Sequence, residues 1–153
     1  MKVTKNTAVW DKIKRDLGRK APELRIGFFP ESSYGSENEN LPVAQVAQVA
    51  QWNEEGSSDN PPRPFMRVGF GGAMRQGTLD RNIREAVEAI ALGNSPRAQL
   101  TILGPLMVNE MKQSIISWST PPNSAATIAM KGKNDPLRDT DTMLNSVDFK
   151  VEN

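Results

Sequence analysis

The chain has 153 residues, 37% of them apolar, with 11 Pro, 11 Gly and a formal net charge of +1. That length fits one domain spanning 1–153, and such a domain buries roughly 70% of the surface its unfolded chain exposes, so it needs no metal or disulfide support. The complete absence of Cys and His excludes disulfides, thiolate catalysis and Cys-type zinc sites, and removes the commonest general base and transition-metal ligand.

The N-terminal stretch "MKVTKNTAVWDKIKRDLG" lacks the apolar run of a signal peptide and predicts a helix over Thr7–Leu17. Val9, Ile13 and Leu17 recur at i, i+4 and i+8, with Trp10 beside them, Asn6 or Thr7 as cap and Gly18 as terminator. "ELRIGFF" follows as a strand, with Leu24, Ile26 and Phe28 alternating against Glu23, Arg25 and Gly27. Residues 30–41, polar and Gly-containing, read as an exposed loop. "PVAQVAQVAQWNEEG" is a second helix, opened by Pro42 and closed by Gly56, with Val43, Ala47 and Ala50 on one side.

"SSDNPPRPFMRVGF" is a proline-stiffened connection, because each residue before a proline is pushed toward extended geometry. The stretch 79–118 is helical and broken at "GNSP", where Ser95 caps and Pro96 opens the second piece. Ile83, Val87, Ile90 and Ala91 form the first apolar stripe; Leu100, Leu103, Met107, Met111 and Ile115 form the second. Gly104-Pro105 should kink or split that second helix. "TIAM" and "SVDFKV" return to strand, the latter with Val147, Phe149 and Val151 alternating against Asp148 and Lys150. Strands near both ends with helices between predict an α+β fold: a small, mostly antiparallel sheet with helices packed on one face. No apolar run reaches the length of a membrane span, so a chain made and kept in the reducing cytoplasm, or in a particle assembled there, is expected.

Nothing in the sequence makes a convincing catalytic constellation, and no enzyme, cofactor or metal is expected. Asp135, Asp139 and Asp141 lack the regular spacing, turn Gly and closing Glu of a calcium loop. Glu54 and Glu55 are helix neighbours that do not face each other. "GFGG" at 69–72 is not followed by the Lys-Ser/Thr of a phosphate loop. Near-neutral net charge argues against a dedicated nucleic-acid binder, yet the charge is unevenly spread. Residues 1–30 carry eight basic and three acidic side chains, net +5, while 31–60 carry six acids and no base, net −6. The split suits head-to-tail contact between copies as well as two solvated faces.

Three pieces carry a family resemblance. "VAQVAQWNEEG" resembles the Ala-rich helix ending in N-E-x-G of a family of tailed-bacteriophage neck or tail-completion proteins, often labelled virion morphogenesis proteins. "PPRPFMR" resembles its P-x-R-P-F-x-R element, and "PPNSAATIAMKGKNDPLRDTDTMLNSVDFKV" resembles its C-terminal P-x-N…T-x-x-x-K-G…P-L-x-D-T-G-x-M…S-I…V signature. The pieces cover about residues 24–75 and 112–151, in the family's order and spacing. The chain departs from the family at Asp141, where Gly is usual; a positive φ there would suit Asp less well than Gly.

The resemblance implies a structural virion protein of the head–tail junction, in a neck, tail-completion or tail-terminator role. It would act as a ring of copies joining the tail to the connector, a hexamer in preference to a dodecamer. Its partners would be itself, a connector or adaptor, and tail-tube or terminator proteins, with non-specific contact to DNA in the lumen and no membrane. The C-terminal segment would be a hairpin-like extension and loop with a projecting Lys-Gly-Lys tip, "PLRDTDTML" restarting a turn of helix before the last strand, and would place Lys131, Lys133, Arg138 and Asp139 at subunit contacts. In "PPRPFMR" the prolines hold the chain extended, which would put Arg63, Phe65 and Arg67 on one side. The arginines would then pair with Glu54, Glu55 or Asp59 of the same or an adjacent subunit around Phe65 as anchor; the alternative is that Phe65 fills its own core. A rival reading is a nucleic-acid-binding accessory protein that uses the N-terminal basic helix through Lys12, Lys14, Arg15, Arg19 and Lys20.

Overall fold

The computed structural model describes residues 21–29, 43–75 and 77–152, together with Asp11, Lys14 and Arg15. The elements in chain order are β1 (Glu23–Gly27), α1 (Val43–Glu55), α2 (Phe65–Arg75), α3 (Thr78–Ala91), α4 (Pro96–Ser117), α5 (Ala125–Lys131), α6 (Thr142–Asn145) and β2 (Asp148–Glu152). This is the expected α+β class: a two-stranded antiparallel sheet among helices. Asp11, Lys14 and Arg15 are helical; the remainder of the N-terminal helix expectation, and the 30–41 loop, lie outside the described residues.

Helix α4 is the spine. Ser95 Oγ accepts from Ala98 N–H at 3.5 Å and Pro96 occupies the first turn, where its missing N–H costs nothing. At 22 residues the helix is about 33 Å long, and it touches α2, α3, α6 and both strands. Of the kink or split expected at Gly104-Pro105, the split does not occur: α4 runs through Pro105 as one helix. A proline ring ordinarily clashes with the Cβ of the residue before it, and Gly104 has none. The same missing Cβ lets the Phe149 ring of β2 seat against the helix.

The sheet lays one face on α4. Ile26 and Phe149 are opposite in register, as are Leu24 and Val151, and these side chains share the face toward the helix. Glu23, Arg25, Lys150 and Glu152 share the other. There Arg25 reaches Glu152 at 3.2 Å and Glu23 at 3.5 Å; exposed pairs of this kind stabilise by well under about 1 kcal/mol. Lys150 lies over the Phe29 ring, 4.8 Å from its centroid.

The core gathers Val46 and Ala50 of α1, Phe65 of α2, Met111 and Ile115 of α4, and Leu137, Met143 and Val147 of the C-terminal segment. The α4 stripe falls as expected, with Leu103, Met111 and Ile115 buried. Two others are offset. On α1 the deepest positions are Val46 and Ala50 rather than Ala47, which is half-buried. On α3 they are Leu79 and Ala86, with Ile83 and Ile90 half-buried, while Val87 is 59% exposed and Ala91 is exposed.

Two sequence expectations are corrected. The "TIAM" segment is not a strand but the helix α5. Ser124 Oγ accepts from Thr127 N–H at 3.1 Å, and Gly132, at φ 71°, closes the helix by donating its N–H to Ile128 O at 2.8 Å. With caps at both ends and two alanines in the first turn, local helix preference outweighs the β-branched pair Thr127-Ile128. The C-terminal extension is therefore helix, loop and short helix rather than a hairpin. The extended geometry of "PPRPFMR" also ends at Pro64, because α2 begins at Phe65. Glu54, at the end of α1, supplies the cap: its carboxylate accepts from Met66 N–H at 2.8 Å and Arg67 N–H at 3.2 Å. A carboxylate on a helix N-terminus is charge-assisted and favoured by the helix dipole, a contribution on the order of 1 kcal/mol. Once residues 65–67 are helical, Arg63, Phe65 and Arg67 no longer share a side.

Candidate functional site

The three motif-bearing segments converge at one place. Arg63 is buried, with 6% of the residue exposed. Its Nε donates to Pro121 O at 3.2 Å, Nη2 to Pro122 O at 3.1 Å and Nη1 to Asn53 Oδ1 at 3.5 Å. Its backbone N–H also donates to Asn53 O. Arg63 thus pins the end of α1 and the Pro121-Pro122 pair to the proline segment. Burial pushes its pKa below the ordinary arginine value, and its partners are neutral oxygens rather than carboxylates. Phe65 is fully buried in the chain's own core, and its carbonyl accepts from Ser114 Oγ at 2.7 Å. Neither residue is placed to act as a surface anchor.

The other expected contact residues divide. Arg67 is exposed and pairs with Glu54 of its own chain at 3.2 Å. Glu55, also exposed, accepts from Gln51 Nε2 at 3.2 Å. Lys131 does not project: its ammonium turns inward to the carbonyls of Asp135, at 2.9 Å, and Arg138. Lys133 pairs with Asp135 at 3.4 Å. Arg138 grips Asp141 with two bonds, Nε to Oδ1 and Nη2 to Oδ2, each 2.8 Å. Asp139 is exposed. Lys14 and Arg15 are exposed; Lys12, Arg19 and Lys20 lie outside the described residues. Among the described residues no group of three or more His, Cys, Asp or Glu is placed to hold a metal ion, and no helix is long and apolar enough to cross a membrane.

Between α1 and the 136–143 loop lies a groove of about 260 Å³. Buried Val46, Leu137 and Met143 give it an apolar lining, and Val49, Lys131, Arg138, Asp139 and Asp141 also line it. Trp52, one turn on from Val49 along α1, is 53% exposed and Val49 is 42% exposed. Large exposed apolar side chains beside a concave surface are a feature of contact sites. The sequence pattern did not mark Val49, Trp52 or Asn53 as functional. The only sign of Asn53 was its place in the N-E-x-G motif; the outward turn of Val49 and Trp52 depends on how α1 rotates onto α6.

The groove's loop depends on Asp141, which sits at φ 58°, ψ 11°, in the left-handed region. The position therefore has the geometry that suits Gly, and Asp stands there at a backbone cost. Its carboxylate supplies a compensating contact. The hydrogen bond from Arg138, then the charges of Arg138, Lys133 and Lys131, hold its pKa below the ordinary value of 3.8. A depressed folded-state pKa means that this stabilisation is fully present above about pH 4 and is lost as pH falls through the folded pKa. At pH 7 Asp141→Ala should be less stable than Asp141→Gly by about 1 kcal/mol, since Ala keeps the left-handed cost and both lose the pair. Asp141→Asn should trail the wild type at pH 7, and the gap should close as pH falls through the lowered folded-state pKa of Asp141. Urea unfolding across that pH range tests both orders; an Ala variant equal to Gly would contradict the strain assignment.

Comparison of the chain with protein-family models, with curated proteins and with solved structures returned no match.

Proposed function

We propose that this chain is a structural protein of a tailed bacteriophage, working at the head–tail junction as a ring of identical copies that joins the tail to the connector. The observation that carries this reading is the convergence at Arg63. The first two segments that resemble the neck and tail-completion family are near neighbours in sequence and the third lies 58 and 59 positions on from Arg63, yet Asn53 of the first, Arg63 of the second and Pro121-Pro122 of the third are bonded together. Motifs that build one buried junction are motifs of a shared frame, which supports carrying the family's role to this chain. The apolar groove with Trp52 and Val49 at its edge adds a surface suited to a protein partner. A sixfold ring is preferred, with twelvefold second, and neck, tail-completion and tail-terminator roles all fit such a ring.

Light scattering behind size exclusion, with imaging and peptide mapping of purified particles, tests the proposal. The expected result is a multimer of six copies in solution and the chain among the virion proteins. A chain that is monomeric at every concentration and missing from particles would overturn it. Charge reversal of Arg63 would not serve as an assembly test. It would place a carboxylate against the carbonyls of Pro121 and Pro122 inside the fold and so report on folding.

A further inference from the structure

The sheet offers a contact between copies, an inference that rests on the ring reading. Among the described residues each strand has the other as its ladder neighbour, so each keeps an outer edge able to take another strand. Inside the chain the register sets like charges opposite one another on the solvent face: Glu23 faces Glu152, and Arg25 faces Lys150. Directly opposed like charges are unfavourable; the diagonal Arg25–Glu152 contact and the Arg25–Glu23 contact offset them in part.

We propose that the outer edge of β2 in one copy receives β1 of the next copy, antiparallel and displaced by two residues from the register inside the chain. Glu23 of one copy then lies opposite Lys150 of the next, and Arg25 opposite Asp148. On the apolar face Leu24 meets Phe149. Lys150 already lies over Phe29, and the Asp148 carboxylate already accepts the Phe149 N–H at 2.8 Å. An ammonium has three donors and a carboxylate several acceptor sites, so each has capacity to meet the next copy while keeping its contacts within the chain. Repeating the internal register between copies would instead oppose Glu to Glu and Arg to Lys again.

The displacement has a geometric consequence. Each copy adds two strands, about 9.6 Å of sheet width, and moves two residues along the strand, about 6.7 Å. The resulting slope is about 35°, which is the strand tilt at which a sheet closes on itself. The contact joins two different edges, so it is heterologous, the kind that generates a ring where the rotation between copies closes. Twofold pairing of β1 with β1 through Glu23 and Arg25 also matches charges, but it closes a dimer and builds no ring.

The chain has no Cys, so E23C and K150C proteins can be made separately, mixed and mildly oxidised, leaving only links between copies. A 23–150 link is expected, along with at least a tenfold loss of multimer in K150E and its recovery in the E23K/K150E double swap. A multimer that gives no 23–150 link and is indifferent to K150E would overturn this contact while leaving the ring intact. A mixture of E23C with R25C proteins that links in its place would assign the twofold pairing. Monomers at every concentration would remove the ring reading and this contact with it.

Discussion

Replacing Gly104 by alanine should lower the stability of the protein by about 3 kcal/mol, out of the 5–15 kcal/mol typical of a domain. A Cβ at that position would fall on the Phe149 ring, well inside contact distance of Cδ2, Cε2 and Cγ, where carbon atoms strongly repel. The clash includes Cγ, close to the backbone, so turning the ring does not relieve it and β2 itself must withdraw from α4. In a Phe149→Ala background the same substitution has room and should cost less than about 1 kcal/mol beyond the loss of the ring. Urea unfolding of the four proteins in this cycle measures the coupling. Additive costs would show that the ring is not seated where the structure puts it.

Arg63→Ala should be nearly as damaging, at about 2–4 kcal/mol. The guanidinium is the shared donor for Pro121 O, Pro122 O and Asn53 Oδ1, and leaving buried acceptors unpaired costs about 1–3 kcal/mol each before water reaches them. Lysine should not rescue, because one ammonium cannot reproduce the planar fork that spans those acceptors. Arg67→Ala, by contrast, removes only an exposed side chain with an ion pair to Glu54 and should cost less than about 1 kcal/mol. Thermal unfolding of the three variants tests the contrast. An Arg63→Lys protein as stable as the wild type would show that charge, and not the fork, holds the junction.

That contrast also shows where sequence reasoning reaches its limit. Arg63 and Arg67 look alike in "PPRPFMR", and alternation would put them on the same side. Their fates diverge because α2 starts between them, and it starts there because Glu54, on another helix, caps Met66 and Arg67. No local window contains that cap. Where the deciding signal is local, the sequence was enough: the alternation of β1 and β2, Ser95-Pro96 at the head of α4, and Gly56, at φ 84°, at the tail of α1. Helix α5 had local signals too, in Ser124 and Gly132, but its short apolar core "TIAM" reads as strand when the caps are given too little weight. The α3 stripe was misplaced by one position because Val87 and Ala86 are both apolar, and only the packing of α3 on α4 decides between them. For the candidate site, the motif residues Arg63 and Pro121-Pro122 were visible, while the bonds that join them span 58 and 59 positions. The inward turn of Lys131 likewise depends on carbonyls whose direction no side-chain pattern encodes.

The pairing of β1 with β2 has one more consequence, for the order in which the molecule comes into being. Residues 23–27 leave the ribosome early, and everything from α1 to α6 follows before residues 148–152 appear. During that time the hollow at Gly104 waits for the Phe149 ring, and β1 has no neighbour to hold its register. The sheet exists only after residue 152 has been made. A chain cut short of β2 keeps the Gly104 hollow without its ring and β1 without this partner, so the two ends of the described fold are secured together or not at all.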